Sequence, residues 1–293
     1  MGLSKKEKKE LALAVYETNK ARYPKRLIAK AFSLARSTLY YEGTLQYKDA
    51  NIKNQILKEY EIDDTLGCRK LASLFKTTKN RVFRVMLKYG ITPRRKRPAY
   101  KYPGKADSIV ENKLMKEEYE KYEVLFSDIF QLRLSDKSWV YGCFVMRKQT
   151  RQILSFCYSY GMQAWLVSES ITRIDLGEDM SEKDVVFHSD QGKQYGAKVT
   201  LDACVEQHFE RSMSRAGRPT DNGFAERFVG TFKLAVVERY SYENIGQFVE
   251  FATKWLNFYN NRRPHESLVQ ESPNDYAREN GYQIVPYLSL NFV

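Results

Sequence analysis

The spacing of apolar residues divides the chain into a helical front part and a rear part that is richer in strands. Up to about residue 92, apolar side chains recur every three or four positions between short polar turns, as in amphipathic helices. The predicted helices cover residues 4–20, two short segments within 24–42, residues 49–62, and a helix–turn–helix within 66–90. Two successive units of this kind are typical of compact DNA-binding domains, although a plain helical bundle shows the same spacing.

Beyond residue 121 the pattern changes to short β-rich runs separated by polar turns. Three strands come first, followed by a helix, a strand, a helix, a strand and two helices. This order predicts an α/β layer fold with a mixed five-stranded sheet. The predicted strands cover residues 123–134, 138–148, 151–161, 184–190 and 208–214, and the predicted helices cover 162–176, 195–207, a segment from about 223, and 244–261.

The net charge of +12 is concentrated at one end of the chain. Residues 1–105 hold 26 Lys and Arg against 9 Asp and Glu, whereas residues 106–293 hold 22 against 27. Such polarity indicates a nucleic-acid-binding part joined to a separate chemical one. The stretch 93–105 is basic and interrupted by proline and glycine, so we expect an extended linker that contacts a nucleic-acid backbone. A plain solvated hinge is the alternative.

Cysteine and histidine usage argues against a structural zinc site. The four cysteines are scattered without a Cys-x-x-Cys pair, and the chain has three histidines. We therefore expect a reducing, cytoplasmic environment. No apolar run is long enough for a membrane span, and the basic start has no apolar stretch of a secretory signal, so we expect no membrane partner.

Three carboxylates occupy positions from which they can converge. Asp128 lies inside the first predicted strand, Asp190 directly follows the fourth, and Glu226 lies on a helix opposite a stripe of phenylalanines. If those strands are neighbours and the helix packs across their ends, the cluster repels itself unless divalent cations are present. Hard oxygen ligands select Mg²⁺ or Mn²⁺, and two such ions can serve phosphodiester chemistry. Taken singly, an edge-strand charge, a turn former and a helix-surface charge are the simpler interpretations.

Three longer motifs resemble a known family. "HSDQGKQYG", "SMSRAGRPTDNGFAERFVGTFK" and "YNNRRPHESLVQESPNDY" resemble the core of insertion-sequence family-three transposases, in particular their second-reading-frame product, OrfB. These belong to the retroviral-integrase superfamily, so the resemblance implies an RNase H-like core with an Asp-Asp-Glu triad. The 35 residues between Asp190 and Glu226 match the spacing of that triad. The helical segments before the core resemble the family as well.

Carried over position by position, the resemblance makes Asp128, Asp190 and Glu226 the catalytic residues and the metal ligands. Lys233, seven residues after Glu226, matches a basic position that contacts the terminal DNA of the element. We further expect His188 to order the strand end beside Asp190. Positive charge in the last front helix, the linker, the loop before Glu226 and the "YNNRRPH" motif predicts further DNA-binding residues: Arg81, Arg84, Arg94, Arg95, Lys96, Arg97, Arg215, Arg218 and Arg263.

The resemblance implies a particular division of the chain. We expect an N-terminal helix-turn-helix-like segment, a second such domain, a basic linker, the RNase H-like integrase core, and a C-terminal helix and tail packed on that core. These parts cover residues 1–45, 46–92, 93–118, 119–240 and 241–293. The expected fold is thus an α/β core preceded by an all-α DNA-binding region.

The function implied by the resemblance is DNA transposition. We expect metal-dependent cleavage and strand transfer at insertion-sequence ends by direct transesterification with two Mg²⁺ or Mn²⁺ ions. The expected partners are double-stranded DNA (terminal inverted repeats and target), further copies of the chain on paired ends, and an upstream-frame OrfA product, all in the bacterial cytoplasm at the nucleoid. A noncatalytic DNA-binding regulator or relic is the alternative, and a cellular nuclease of the same fold is a third.

Overall fold

The computed structural model describes residues 3–19, 22–40, 44–95, 108–177 and 184–293. These residues form two compact units, Met1–Gln55 and Ile56–Val293, which divide within one helix. Lys96 and Arg97, both predicted to bind DNA, lie outside the described residues, as does the rest of the stretch 96–107 of the predicted linker.

The first unit confirms the predicted front helices. It contains α1 (Lys5–Thr18), α2 (Lys25–Ala31), α3 (Arg36–Tyr40) and the beginning of α4 (Thr44–Tyr60). The first helix starts with a capping box, in which the Ser4 hydroxyl accepts from the Glu7 amide and the Glu7 carboxylate accepts from the Ser4 amide. A small apolar core holds the helices together: Ala12, Ile28, Ala29, Leu34 and Leu39.

The second unit begins with the end of α4, followed by α5 (Cys68–Leu74) and α6 (Lys79–Lys88), which form the predicted helix–turn–helix. The end of α4 and the segment that follows it are bound to the rest of this unit by arginines. Arg262 pairs with Glu59 at 2.8 Å, and Arg263 pairs with Asp63 at 2.8 Å. The helical part therefore packs on the α/β part through charged contacts that the apolar spacing does not reveal.

The α/β part is built on one mixed sheet. Its strands are β1 (Glu123–Arg133), β2 (Trp139–Arg147), β3 (Ile153–Ser159), β4 (Val185–Ser189), β5 (Phe209–Met213) and β6 (Asn291–Phe292). The spatial order is β5-β4-β1-β2-β3-β6. β1, β2 and β3 pair antiparallel, whereas β4 is parallel to β1 and β5 is parallel to β4. This arrangement confirms the RNase H-like mixed sheet. The sheet has six strands rather than five, because two residues near the C-terminus pair with β3.

Helices cover both faces of the sheet. One face carries α7 (Ala164–Thr172) and α8 (Lys198–Glu206), and the other carries α9 (Gly223–Phe232) and α10 (Ile245–Asn261). A further helix, α11 (Pro273–Glu279), follows α10 and was not predicted. The central strand serves both layers by strict alternation, as a strand buried on both faces must. In β1, the even-numbered residues Val124, Phe126, Phe130 and Leu132 are buried in the core beneath α9 and α10. Asp128 lies on the same face and is half-buried.

Aromatic contacts fix α9 on the sheet. The ring of Phe228 lies 4.4 Å from that of Phe144, and the ring of Phe232 lies 4.9 Å from that of Phe130. Phe130 in turn faces Gly142 on β2, where a Cβ atom would lie 2.4 Å from the Phe130 ring. The phenylalanine stripe predicted for this helix thus sets the position of the carboxylate opposite it. Within the described residues, no helix combines the length and apolar character needed to cross a bilayer.

Candidate active site

Two of the predicted carboxylates lie at the same level of adjacent parallel strands. Phe126 of β1 pairs in register with His188 of β4, and Asp128 and Asp190 each come two residues later. Both aspartates are half-buried. One oxygen of each is held by a backbone amide, since Asp128 accepts from Ile129 at 2.7 Å and Asp190 accepts from Gly192 at 2.9 Å.

The helix that carries Glu226 covers the same face of the sheet. The Phe126 ring contacts both the His188 ring, at 5.3 Å, and the Phe224 ring at the start of α9, at 5.1 Å. Glu226 lies two residues beyond Phe224 and is exposed to solvent. The fold therefore brings the third predicted carboxylate to the end of the sheet at which the two aspartates lie.

The electrostatics of the three carboxylates are coupled. The pKa of Asp128 is raised to about 7, first by burial and then by the negative charges of Asp190 and Glu226, against the lowering effects of the Ile129 amide and of Lys233. Burial also raises the pKa of Asp190, and burial together with Asp190 raises the pKa of Glu226. Each of these carboxylates is therefore more basic than in water. A cation between them would restore the charged form.

The carboxylates do not yet form a complete metal site. Among the residues that the structure describes, no group of three or more His, Cys, Asp or Glu side chains is placed to hold a metal ion. Asp128 and Asp190 are the closest to such a site because both project from neighbouring strands. Glu226, the third carboxylate at this end of the sheet, lies on the exposed side of α9.

Lys233 lies beside this cluster, where its charge acts on Asp128. It begins a π-helical turn, Lys233–Val237, that continues α9. Such turns widen a helix locally and are frequent at functional sites. The sequence predicted Lys233 as a DNA contact but gave no sign of the turn, because no residue in it is a helix breaker.

Side chains behind the carboxylates hold the site together. The amide of Asn222, a buried residue before α9, donates to the backbone oxygen of Ser127 at 3.2 Å. This hydrogen bond ties the start of the Glu226 helix to the strand position preceding Asp128. On the opposite face, the Ser127 hydroxyl contacts the Tyr195 hydroxyl at 3.0 Å. Tyr195 belongs to the quoted motif "HSDQGKQYG", but no role was predicted for it from the sequence.

His188 supports β4 instead of offering a metal ligand. Its Nδ1 lies 2.9 Å from the hydroxyl of Ser212 in the parallel strand β5, and its Nε2 lies 3.1 Å from the hydroxyl of Ser214, directly after that strand. Burial lowers the pKa of His188 to about 4, so the ring is neutral at pH 7. Because both nitrogens have hydroxyl partners, the expected ordering role fits this geometry.

The loop before α9 is closed by an ion pair. Arg215 holds Asp221 with two guanidinium bonds of 2.8 and 2.9 Å, and Asn112 donates to the same carboxylate at 2.9 Å. The side-chain bond from Arg215 is the main reason that the pKa of Asp221 lies well below its usual range. Arg215 is thus paired within the loop, whereas Arg218 between the two is exposed.

The remaining predicted DNA-binding residues fall into two groups. Arg84 on α6 and Arg95 after it are exposed, and Arg81 is half-buried. Arg94 instead pairs with Asp64 at 3.2 Å. The exposed positions of Arg84 and Arg95 suit contact with a DNA backbone. Their contacts with DNA stay predictions.

Arg263 is a different case, because it is only 5% exposed and its guanidinium binds the fully buried Asp63. A buried charge of this kind needs a fixed partner. This burial does not support the predicted contact of Arg263 with DNA on the protein surface, and the residue has a structural partner instead.

Comparison with known proteins agrees with this geometry. Residues 118–219 and 207–273 match two family models, each described as an integrase core domain. These two stretches of the chain are similar to integrase core domains. The chain is 28% identical over 132 residues to the transposase of insertion sequence IS904 from Lactococcus lactis, which covers 45% of this chain and 52% of that protein. It is 33% identical over 94 residues to the putative transposase InsK of IS150 from Escherichia coli, covering 32% and 33%.

The chain thus spans about half the length, or less, of these two relatives. Among solved structures, the catalytic core domain of BIV integrase is similar over 54% of this chain and 95% of its own, at 15% identity and a TM-score of 0.37.

Proposed function

We propose that this protein is a DNA transposase that cleaves and joins DNA strands with Asp128, Asp190 and Glu226. The observation that carries the proposal is the placement of Asp128 and Asp190 at one level of adjacent parallel strands, under the helix of Glu226. The names of the two relatives, both transposases of insertion sequences, support this choice of substrate. The integrase core assigned to residues 118–273 supports the reaction class of polynucleotidyl transfer.

The donor set fits a divalent cation. Asp128 and Asp190 supply carboxylate oxygens, which Mg²⁺ and Mn²⁺ prefer, and their mutual repulsion is relieved by a positive charge. Asp128 and Asp190 would together hold the two cations that are typical of phosphodiester sites. Glu226 would complete the coordination of one of them. When bound, the cations would activate the attacking oxygen and stabilise the leaving one.

The protein's own residues would place the DNA. Lys233, half-buried next to Asp128, would bind a phosphate close to the reacting one. Asn222 would keep α9 at a fixed distance from β1, so that Glu226 returns to the same place in each turnover. Because the described part of the site presents carboxylates and no activated Ser, Cys or Tyr nucleophile, we infer direct transesterification without a covalent protein–DNA intermediate.

The finer assignment is to the family-three OrfB type. It is supported by the three quoted motifs and by the Asp190–Glu226 spacing. We propose that the substrates are the terminal inverted repeats of an insertion sequence and its target DNA, and that several copies of the chain act on paired ends. An upstream-frame OrfA product would be a further partner, and the bacterial nucleoid the place of action.

The test is cleavage and strand transfer on a labelled duplex that carries the DNA end flanking the gene, in Mg²⁺. Glu226→Gln keeps the shape of the side chain and removes the charge. We expect activity in the wild type, loss of at least about 100-fold in Glu226→Gln, and unchanged DNA binding. Glu206→Gln, which alters an exposed glutamate of α8, is the matched control and should remain active.

The alternative, a noncatalytic DNA-binding regulator, predicts a different result. In that case the wild type and Glu226→Gln bind the duplex equally and neither cleaves it, with or without an added OrfA product. Full activity of Glu226→Gln would contradict the role of Glu226.

A further inference from the structure

Apart from the carboxylate cluster, a cavity lies against α9, on the side of the helix next to Glu226. Its volume is about 240 Å³, and α9 contributes Phe224, Arg227, Phe228 and Thr231 to its wall. Arg227 directly follows Glu226 in the chain, so the cavity and the carboxylate cluster share one helix. All the lining residues belong to the compact unit Ile56–Val293.

The cavity wall is strongly basic. Besides Arg227, it includes Lys70 of α5, Arg151 of the β2–β3 turn and Arg263 after α10. Glu266 is the acidic residue in the wall, and it pairs with Arg69 at 2.8 Å. Arg263 is paired with Asp63. The other three cations of the wall are Lys70, Arg151 and Arg227, and they outnumber its acidic residues.

Burial first, and the neighbouring positive charges second, change the pKa values of the cations in the wall. Burial and then the charge of Arg263 lower the pKa of Lys70 to about 7, although Asp63 and Glu266 act in the opposite sense. Burial chiefly lowers the pKa of Arg151, and Arg227 lowers it further. The folded protein therefore keeps positive charges together at a cost, which an anion in the cavity would offset.

The cavity also contains polar groups placed for a ligand. Arg151 lies flat on Phe224, with its guanidinium carbon 4.1 Å from the ring centroid, and its Nε donates to the Ser267 hydroxyl at 3.4 Å. The Nε2 atom of His265 is buried and has no hydrogen-bond partner among the described residues. Burial and the neighbouring cations lower the pKa of His265, so the neutral ring has one N–H to donate.

We propose that this cavity binds a phosphoryl group through Lys70, Arg151, Arg227 and His265. The group belongs either to the DNA backbone, a few nucleotides from the reacting phosphate, or to a free phosphate or pyrophosphate. The volume of about 240 Å³ is several times the roughly 30 Å³ that one water occupies, which leaves room for a phosphoryl group and waters. The DNA form of the proposal rests on the proposed function, whereas the anion site itself does not.

The first experiment measures thermal unfolding of the full chain with inorganic pyrophosphate against sodium chloride of equal ionic strength, without metal or DNA. We expect pyrophosphate at a large excess over its Kd to raise the melting temperature by at least about 3 °C. Lys70→Met should raise the melting temperature in chloride, because it removes a half-buried cation whose charged form the fold disfavours, and should lose most of the pyrophosphate shift. Lys254→Met, an equal change of charge on an exposed face of α10, should leave the shift intact.

The second experiment distinguishes the two sources of the phosphoryl group. Single neutral methylphosphonates are placed along the duplex end, and the affinity of each duplex is compared for the wild type, Arg227→Gln and Lys254→Met. If the cavity takes a DNA phosphate, one methylphosphonate position weakens binding by the wild type and Lys254→Met several-fold and has no effect on Arg227→Gln. If pyrophosphate raises the melting temperature but no methylphosphonate position weakens binding in this way, the cavity binds a free anion.

The proposal is overturned if pyrophosphate gives no shift beyond that of chloride and no methylphosphonate position couples to Arg227. Because pyrophosphate binding is measured without catalysis, it is independent of the outcome for Glu226→Gln. If the cavity binds no anion, the proposed transposase function is unaffected. If the proposed function is contradicted, the anion site is likewise unaffected.

Discussion

Asp63 and Arg263 are 200 residues apart in the chain and form a buried ion pair, with 2.8 Å between the Asp63 Oδ2 and the Arg263 Nε. Thr65 completes it, since its backbone amide and its hydroxyl both donate to the other oxygen of Asp63. The pair joins the segment after α4 to the end of α10. The helical segment that contains α5 and α6 and the α/β part are thereby fixed to each other within one compact unit.

Asp63→Asn should destabilise the protein strongly. Removal of one partner leaves the charge of Arg263 buried without compensation, which costs about 3–5 kcal/mol. The free energy of unfolding in urea measures the loss. Glu169→Gln is the control, because Glu169 forms an exposed pair with Arg173 at 2.6 Å and should contribute less than about 1 kcal/mol. Equal losses for the two variants would contradict a stabilising role of the buried pair.

The same pair makes stability depend on pH. Burial alone would raise the pKa of Asp63, but Arg263 and the Thr65 hydrogen bonds outweigh it, so the pKa is lower in the folded state. The pair's contribution is therefore complete above the unfolded pKa of about 4 and is lost as the pH falls through the lower folded value. The stability difference between the wild type and Asp63→Asn should be constant from pH 5 to 7 and shrink below about pH 4. A difference that grows in acid would exclude this linkage.

Much of the fold could be predicted because it depends on local spacing. The recurrence of Phe224, Phe228 and Phe232 fixes which side of α9 is buried, and their contacts to β1 and β2 follow from that side. The alternation of β1 similarly predicts a strand between two helical layers. The relation of Asp128 to Asp190 depends on which strands are neighbours, and the resemblance supplied that information.

The parts that could not be predicted depend on distant partners or weak local signals. Strand β6 contains two residues, which is too short for an alternation to be recognised. The buried pair of Asp63 and Arg263 requires knowledge of the packed structure, so a basic motif residue was expected at a DNA surface. The π-helical turn at Lys233 has ordinary helix-forming residues, and the packing around it decides its geometry.

Gly142 and Gly230 should respond to alanine in opposite directions. A Cβ at Gly142 would meet the Phe130 ring at 2.4 Å, so Gly142→Ala should cost about 1–3 kcal/mol through displacement of that ring. A Cβ at Gly230, inside α9, meets nothing within 4 Å, so Gly230→Ala should stabilise by about 0.5–1 kcal/mol. Thermal unfolding of both variants checks the pair. Stabilisation by Gly142→Ala would show that Phe130 is not packed as described.

Asn222→Ala should impair catalysis more than DNA binding. The variant removes the hydrogen bond from Asn222 to the Ser127 backbone oxygen and leaves that oxygen without its side-chain donor. We expect a loss of stability of about 1–3 kcal/mol and a fall in strand-transfer rate of at least about 10-fold, because α9 no longer holds Glu226 in one place. Rates under saturating DNA, compared with the DNA affinity, separate the two effects. A weaker affinity with an unchanged rate would instead make Asn222 part of the DNA-binding surface.

Lys233→Gln should reveal whether the amine contacts DNA or only neutralises Asp128. If Lys233 binds one phosphate, the variant loses affinity for the duplex and the slope of log affinity against log salt falls by about 1. The loss should be similar for all sequences, because phosphates carry no sequence information. Lys254→Gln on α10 controls for the change in net charge and should leave the slope unchanged. An unchanged slope for Lys233→Gln, together with a slower reaction in Mg²⁺, would restrict Lys233 to its effect on Asp128.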